Sequence, residues 1–391
     1  MRVWAAALLG LAACSGGNGG FVFEGMVGTD IAAESLSDVL LVPSTIDGAR
    51  GPTVAVDTGS PLVALTGDLR SPIARLDVLG VSFLDVDFSP LPAGFMEAVG
   101  GVVGCTILCD FAVAFDYRGH FVTLDDADLP TDLEPEIEVL MDRKGGGTGR
   151  LGAAGPIVTI PPSRLIVSAV VEGTVGRFMV DTGASITFVR GSNAATLALD
   201  QRPTASVTFV SQLGAGSVTM MRVQEIALGG ARVEGALIGS SSSVDELLGH
   251  LAEEVGEPLD GIIGATFLRE NHLIVDYPLD RLRFRRYPTQ EHFVDPVMAV
   301  GIELAIGLDT VAGDFVTIRS VRGDAAIKGI MESQQLVRIQ GQPVLGKTGR
   351  DIANSLIAPR GSSILIDTFC ERDPRCVMPT SRMIRADQRA L

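Results

Sequence analysis

The chain has 391 residues, room for two or three domains once a leader is removed, and 46% of them are hydrophobic, so sizeable cores can be buried. The formal charge is −16 and no Lys/Arg run is present, which argues against nucleic acid as a partner. Acidic surfaces are common on soluble proteins, so the charge excludes little else.

Met1 and Arg2 are followed by VWAAALLGLAAC, an apolar run too short to span a bilayer and of signal-peptide form. LAAC resembles the bacterial lipobox, in which cleavage leaves a lipidated cysteine. That resemblance implies a signal peptide over 1–13, lipid on Cys14, and a membrane contact through it. The chain would then be anchored in the bacterial cell envelope, facing the periplasm or the surface. An ordinary secretory signal with an incidental cysteine is the alternative. SGGNGG opens a flexible tether over 14–26.

Four of the five cysteines remain: Cys105, Cys109, Cys370 and Cys376. An exported compartment permits disulfides. Cys370–Cys376, closing a short loop, is the expected pair; Cys105 and Cys109 either pair or stay as buried thiols. The histidines show no ligand spacing against these cysteines, so no metal is expected, and nothing suggests an organic cofactor.

Residues 27–129 read as a small all-β lobe. LSDVLLVPSTIDGARGPTVAVDTGS gives a strand, a turn at Asp47–Gly48, and a strand running into Asp57. Further strand-like runs lead to GGVVGCTIL and to a terminal hairpin with Arg118–Gly119 at its tip. Residues 130–156 carry charge, prolines and a glycine cluster, and read as an inter-lobe linker. A phosphate-cradling loop at Gly145–Gly149 is the alternative, but Lys-Ser/Thr is missing at the required offset.

Residues 157–290 repeat the first plan: strand, Glu172–Gly173 turn, strand, Asp181. VTFVSQLGAGSVTMM follows as a hairpin with a Gly-rich tip at Gly214–Gly216. LDGIIGATFLRENHLIVDYPLDRLRFRR then aligns without gaps on the first lobe, 160 residues earlier (261 minus 101). Gly101 matches Gly261, Val102–Gly104 match Ile262–Gly264, and Asp116–Tyr117 match Asp276–Tyr277. The two acids are only 124 apart (181 minus 57), so the second lobe carries 36 extra residues (160 minus 124) between its acid and its glycine segment. Such a repeat marks duplication of one unit. Residues 293–370 form a third unit of strands and two short helical stretches, and 371–391 a tail without a core pattern.

The repeat carries chemistry through its acids. A lone aspartate on a tight turn is usually just a turn residue. Here each acid lies between two apolar strands, so its turn sits inside the fold, where a carboxylate is costly unless paired or hydrogen-bonded. Two such acids, one per lobe, would meet at the lobe interface and share a proton. One would act as general base on a water while the other, protonated, polarises a carbonyl. Thr58 and Thr182 can hydrogen-bond across the interface, and Gly59 and Gly183 permit the tight turn and close approach. Gly104 and Gly264 would let a strand pass beneath each acid loop. Taken alone, Val-Val-Gly and Ile-Ile-Gly are core strands with a bulge; their coupling to the triplets changes that reading.

With Asp57-Thr58-Gly59-Ser60 and Asp181-Thr182-Gly183-Ala184 each followed by its hydrophobic-hydrophobic-Gly segment, residues 27–288 resemble pepsin/retropepsin-type aspartic proteases, most closely the bacterial retropepsin-like proteins. The resemblance implies a mainly β fold of two pseudo-symmetric lobes, a polypeptide substrate, and Asp57 and Asp181 as catalytic acids. It implies that Ser60 supports its aspartate by hydrogen bonding, with Ala184 in the second lobe making that support unequal. The first lobe is too short for a full flap hairpin, so Thr208–Met220 is the flap candidate. Tyr117, Tyr277 and Tyr287 are the only tyrosines, and none sits where pepsins carry their flap tyrosine. A catalytically inactive peptide-binding lipoprotein on a degenerate protease fold is the alternative.

The third unit resembles a PDZ domain of bacterial proteases, a small α+β fold. VGIEL (Val300–Leu304) is similar to the carboxylate-binding loop, and VTIRSVRGDAAIKGIMESQQLVRIQGQPV to the segment that follows, with Ser333–Gln334 replacing the usual Gly-Asp. That resemblance implies that N–H groups near Gly301 and Ile302 take a C-terminal carboxylate while the peptide adds as a strand. A small domain that only packs on the rest is the alternative.

Overall fold

The structure, a computed structural model, describes residues 22–36, 38–67, 69, 71–91, 99–125, 137–151, 156–197, 205–211, 214–287, 301–304, 315–321, 323–347, 351–352, 355–356, 361–369 and 379–385. Cys14, Cys370 and Cys376 lie outside the described residues, as do 126–136, 152–155 and Val300. The chain is mainly β, as its strand-like runs and turn signals led us to expect.

Each lobe is built outward from its acid. In the first, Val39–Val42 pairs antiparallel with Val54–Val56, which runs into Asp57. Between them the hairpin Thr45–Ile46/Ala49–Arg50 turns at Asp47 and Gly48, with φ of 50° and 80°. Two successive left-handed residues make a primed turn whose twist matches its strands. In the second lobe Arg164–Val171 pairs with Thr174–Val180 through Glu172 and Gly173, at φ 51° and 77°. The same device therefore delivers both acids.

Each acid strand next takes the hydrophobic-hydrophobic-Gly segment as a parallel partner. Val102 and Val103 stand opposite Ala55 and Val56, and Gly261–Ile263 opposite Phe178–Val180. One short helix follows in each lobe, Cys105–Leu108 and Ala265–Leu268. Cys105 and Cys109 form a disulfide across the first of these, closing the choice the sequence left open. The strands after the helices, Ala112–Asp116 and Asn271–Asp276, pair antiparallel with each other. The lobes thus share one six-stranded sheet, and a single apolar core runs from Val56 and Phe115 to Val180, Phe267 and Tyr277.

The second lobe's excess of residues falls in two places. One is the helix Gly191–Thr196 with the hairpin Ala205–Ser211/Gly214–Arg222. The other is the helix Ser242–Val255, capped by the Ser241 hydroxyl and ended by Gly256 in the left-handed region.

Three expectations need correction. Gly214–Gly216, expected at the hairpin tip, belong to the returning strand Gly214–Arg222, where they face Ser211, Val210 and Phe209. The described part of 130–156 is strand and not loop. Ile137–Leu140 pairs with Arg281–Arg286, Asp142–Lys144 with Arg164–Val171, and Gly147–Arg150 with Ile157–Ile160. Glycine and charge masked a short alternating pattern there. Thr380–Arg385, placed in a coreless tail, is a strand paired with Ser363–Phe369 that buries Ile384 completely. One inward isoleucine among polar neighbours is too little for a period-2 signal.

The third unit has its own core, including Ile302, Ile318, Leu336, Ile364 and Ile384. Among the described residues no helix is long and apolar enough to cross a membrane.

Candidate active site

The two acid loops are held by matched backbone bonds. Asp57 N–H donates to Val103 O at 3.0 Å, and Asp181 N–H to Ile263 O at 3.0 Å. The next segment then anchors beneath: Cys105 N–H donates to Ser60 O at 2.9 Å and Ala265 N–H to Ala184 O at 2.8 Å. Gly104 and Gly264 are what permit this. A Cβ on Gly104 would stand 2.4 Å from Ser60 O, and one on Gly264 2.3 Å from Ile186 O.

Thr58 and Thr182 lock the loops across the lobes. Thr58 N–H donates to Thr182 Oγ1, and Thr182 N–H to Thr58 Oγ1, both at 3.0 Å. Each hydroxyl then donates to a carbonyl of the opposite acid strand, Thr58 to Val180 O at 3.3 Å and Thr182 to Val56 O at 2.8 Å. Both threonines are buried, so these donors have no water to fall back on. Thr58→Val and Thr182→Val should each destabilise the fold by about 2 kcal/mol, because each orphans a buried N–H and a carbonyl. The double variant should cost less than the sum, since the first loss already loosens the interface. Urea titrations of the four proteins measure this; neutral substitutions would contradict it.

This lock brings the acids together. The Asp57 and Asp181 carboxyls each lie against the glycine of the other's loop, close enough to perturb one another's ionisation. A Cβ on Gly59 would lie 2.4 Å from Asp181 Cγ, and one on Gly183 2.5 Å from Asp57 Cγ, so each glycine leaves the room the opposite carboxyl fills. Support is unequal. Asp57 Oδ1 accepts the Gly59 N–H at 2.7 Å. Asp181 Oδ1 accepts two N–H groups, Gly183 at 2.8 Å and Ala184 at 3.1 Å.

Ser60 does not supply the difference expected of it. Its hydroxyl donates to Leu62 O at 2.9 Å and braces the turn rather than the carboxylate. Burial pushes both carboxyls up, Asp57 well above the ordinary range, where the adjacent Asp181 adds to the rise. Two N–H donors at Asp181 against one at Asp57 favour the charged form of Asp181.

A raised carboxyl pKa makes stability fall with pH. Between the ordinary carboxylate range and the raised one, the folded chain holds more protons than the unfolded chain. Stability is therefore full at acid pH and is lost as pH rises through that interval. Asp57→Asn removes the group responsible, so its urea midpoint should fall less with pH than that of the wild type. Parallel curves would contradict the coupling.

The sequence reading missed Thr106 and Thr266. Their hydroxyls accept the Val63 N–H at 3.1 Å and the Thr187 N–H at 2.9 Å, pinning the strand after each acid loop. They obey the same 160-residue register (266 minus 106), which could have found them. The candidate flap side chains before Ser217 and the candidate lipid and Cys370–Cys376 sites lie outside what the structure describes. Gly301, at φ 74°, and Ile302 open the strand Ile302–Leu304, far along the chain from the acids.

Residues 167–267, which hold the second acid loop and its glycine strand, match the family described as Aspartyl protease. No curated protein matches the chain. Among solved structures, the chain is similar to a retropepsin-like aspartic protease from Rickettsia conorii at 16% identity, covering 38% of this chain and 88% of that one with a TM-score of 0.25. It is similar to an aspartic proteinase from Irpex lacteus at 13% identity, covering 66% and 97% with a TM-score of 0.44. It is also similar to the PDZ domain of a carboxy-terminal protease from Vibrio cholerae, solved with a peptide, at 22% identity, covering 23% and 92% with a TM-score of 0.20.

Proposed function

We propose that the chain is an aspartic endopeptidase whose reaction runs on Asp57 and Asp181. The observation that carries this is the close approach of two buried carboxyls, one from each lobe and each against the other loop's glycine, in loops locked together by Thr58 and Thr182. In this reading Asp181 is the ionised partner and takes a proton from a water seated between the acids. The water oxygen attacks the peptide carbonyl carbon, and Asp57 gives its proton to the carbonyl oxygen. The resulting gem-diol collapses as the amide nitrogen is protonated, breaking the C–N bond and returning one proton to the pair. The pair titrates as a unit, so its two apparent pKa values belong to both residues.

The hairpin Ala205–Ser211/Gly214–Arg222 is the segment we assign to covering the substrate. The third unit is proposed as PDZ-like, taking a peptide C-terminus near Gly301 and Ile302. We retain the proposed envelope anchor through Cys14. The test is cleavage of a peptide library by the full-length protein across acid to neutral pH, with products identified by mass spectrometry. Cleavage that vanishes in Asp57→Asn supports the reading. A protein that cleaves nothing at any pH but still binds peptides would favour the inactive peptide-binding alternative.

A further inference from the structure

Arg164 begins a strand of the second lobe, yet its guanidinium serves the first. Nη1 donates to the carbonyl oxygen of Gly59, the residue whose N–H holds Asp57 Oδ1. Nε and Nη2 donate to the two carboxylate oxygens of Glu254 at 2.9 and 2.8 Å. The fork is therefore fully aligned, and the Arg164 side chain is only 7% exposed. Glu254 lies on Ser242–Val255, the helix in the second lobe's additional segment.

The arrangement has no twin in the first lobe. Leu165 faces Val180 and Leu41 faces Ala55, so the residue matching Leu165 is Leu40 and the residue matching Arg164 is Val39. One lobe thus supplies the cation for both acids. Among the described residues the groups acting on the pair are few. Tyr117 and Tyr277 are buried near the acids, and burial holds both phenols neutral. Among the described residues, Arg164, with Glu254 as its counter-ion, is the cation whose field reaches both carboxyls and favours their ionised forms. A buried negative charge without such a partner is costly.

We infer that Arg164 is a positioning residue: clamped by Glu254, it fixes the Asp57 loop from the opposite lobe and sets one positive charge behind the acid pair. The inference deepens the peptidase reading and rests on it for its catalytic meaning. It also makes the helix Ser242–Val255 a distant control on the acids, since any movement of that helix moves the charge.

The test uses full-length protein carrying 13C-labelled aspartate, in which the Cγ signals lost in Asp57→Asn and Asp181→Asn identify the pair. Their titration is read by NMR, alongside kcat/KM against pH on a cleaved peptide. Arg164→Met should raise the pair's first ionisation by about one pH unit, because it removes a nearby opposite charge. Glu254→Gln should lower it, because it leaves the arginine charge uncompensated. Arg164→Lys should keep the wild-type titration while lowering kcat about tenfold, because the charge stays but an ammonium cannot hold Glu254 and Gly59 O together in the guanidinium geometry.

Opposite shifts in Arg164→Met and Glu254→Gln separate an electrostatic role from loosened packing, which would move both the same way. Should Arg164→Met not fold, the Glu254→Gln and Arg164→Lys titrations still decide. An unchanged titration in Glu254→Gln, or the same direction of shift in both neutralised variants, overturns the inference. Opposite shifts in a protein that cleaves no peptide would uphold the inference and sink the peptidase reading.

Discussion

Asp57→Asn and Asp181→Asn should each reduce peptide hydrolysis by at least about 10³-fold, the scale of losing a positioned general acid or base. The two losses should be similar although the residues differ in support. Asp57 has one backbone donor and Asp181 has two, but in the proposed reaction a single proton passes between them in every cycle. An asparagine at 57 can still donate a hydrogen bond but has no proton to give. An asparagine at 181 cannot take one from water. The double variant should be scarcely worse than either single one, because residues acting as a unit are not additive. Peptide turnover under saturating and limiting substrate measures this. Wild-type turnover in either single variant would contradict a shared pair.

Gly183→Ala is expected to have the next largest effect. Its Cβ would meet Asp57 Cγ at 2.5 Å and the two carboxyl oxygens at 2.6 and 2.7 Å. Nothing about the backbone forbids alanine there, since Gly183 is not among the positive-φ residues. The obstacle is the Asp57 carboxyl itself, which has to turn aside from Asp181. Displacing a reacting group by about 1 Å can cost about 100-fold in rate, and the overpacked interface should lose about 1–3 kcal/mol of stability. Gly249→Ala is the control. It is half-buried on Ser242–Val255 with open space where a Cβ would go, and should be stabilising by up to about 1 kcal/mol. Activity retained in Gly183→Ala would mean that the loops are looser than their hydrogen bonds indicate.

What could be read from the sequence was whatever the duplication wrote twice. The acid loops, their threonines and glycines, the primed turns at Asp47–Gly48 and Glu172–Gly173, and the strands beneath the acids each occur once in either lobe, in the same order. Each is also local, set by a few neighbouring residues. Arg164 and Glu254 stayed hidden because they are 90 residues apart, occur in only one lobe, and look like ordinary surface charges in their own segments. Ser60 misled for the opposite reason. Its place in the motif is familiar, but which of two nearby acceptors its hydroxyl takes, Leu62 O in the event, depends on the fold of the turn. The strands Ile137–Leu140 and Thr380–Arg385 were missed because edge strands need few apolar residues, and the partner of Ile137–Leu140 also lies far along the chain.

The central claim is that Asp57 and Asp181 share one proton and act as one group. The most direct measurement is kcat/KM for a cleaved peptide, followed across acid to neutral pH in the wild-type protein. The account predicts a bell-shaped profile, its rising limb marking the first ionisation of the pair and its falling limb the loss of the shared proton, with the falling limb above the ordinary carboxylate range. A single sigmoidal limb, rising through the ordinary carboxylate range and staying level above it, would show one acid working alone and would contradict the account.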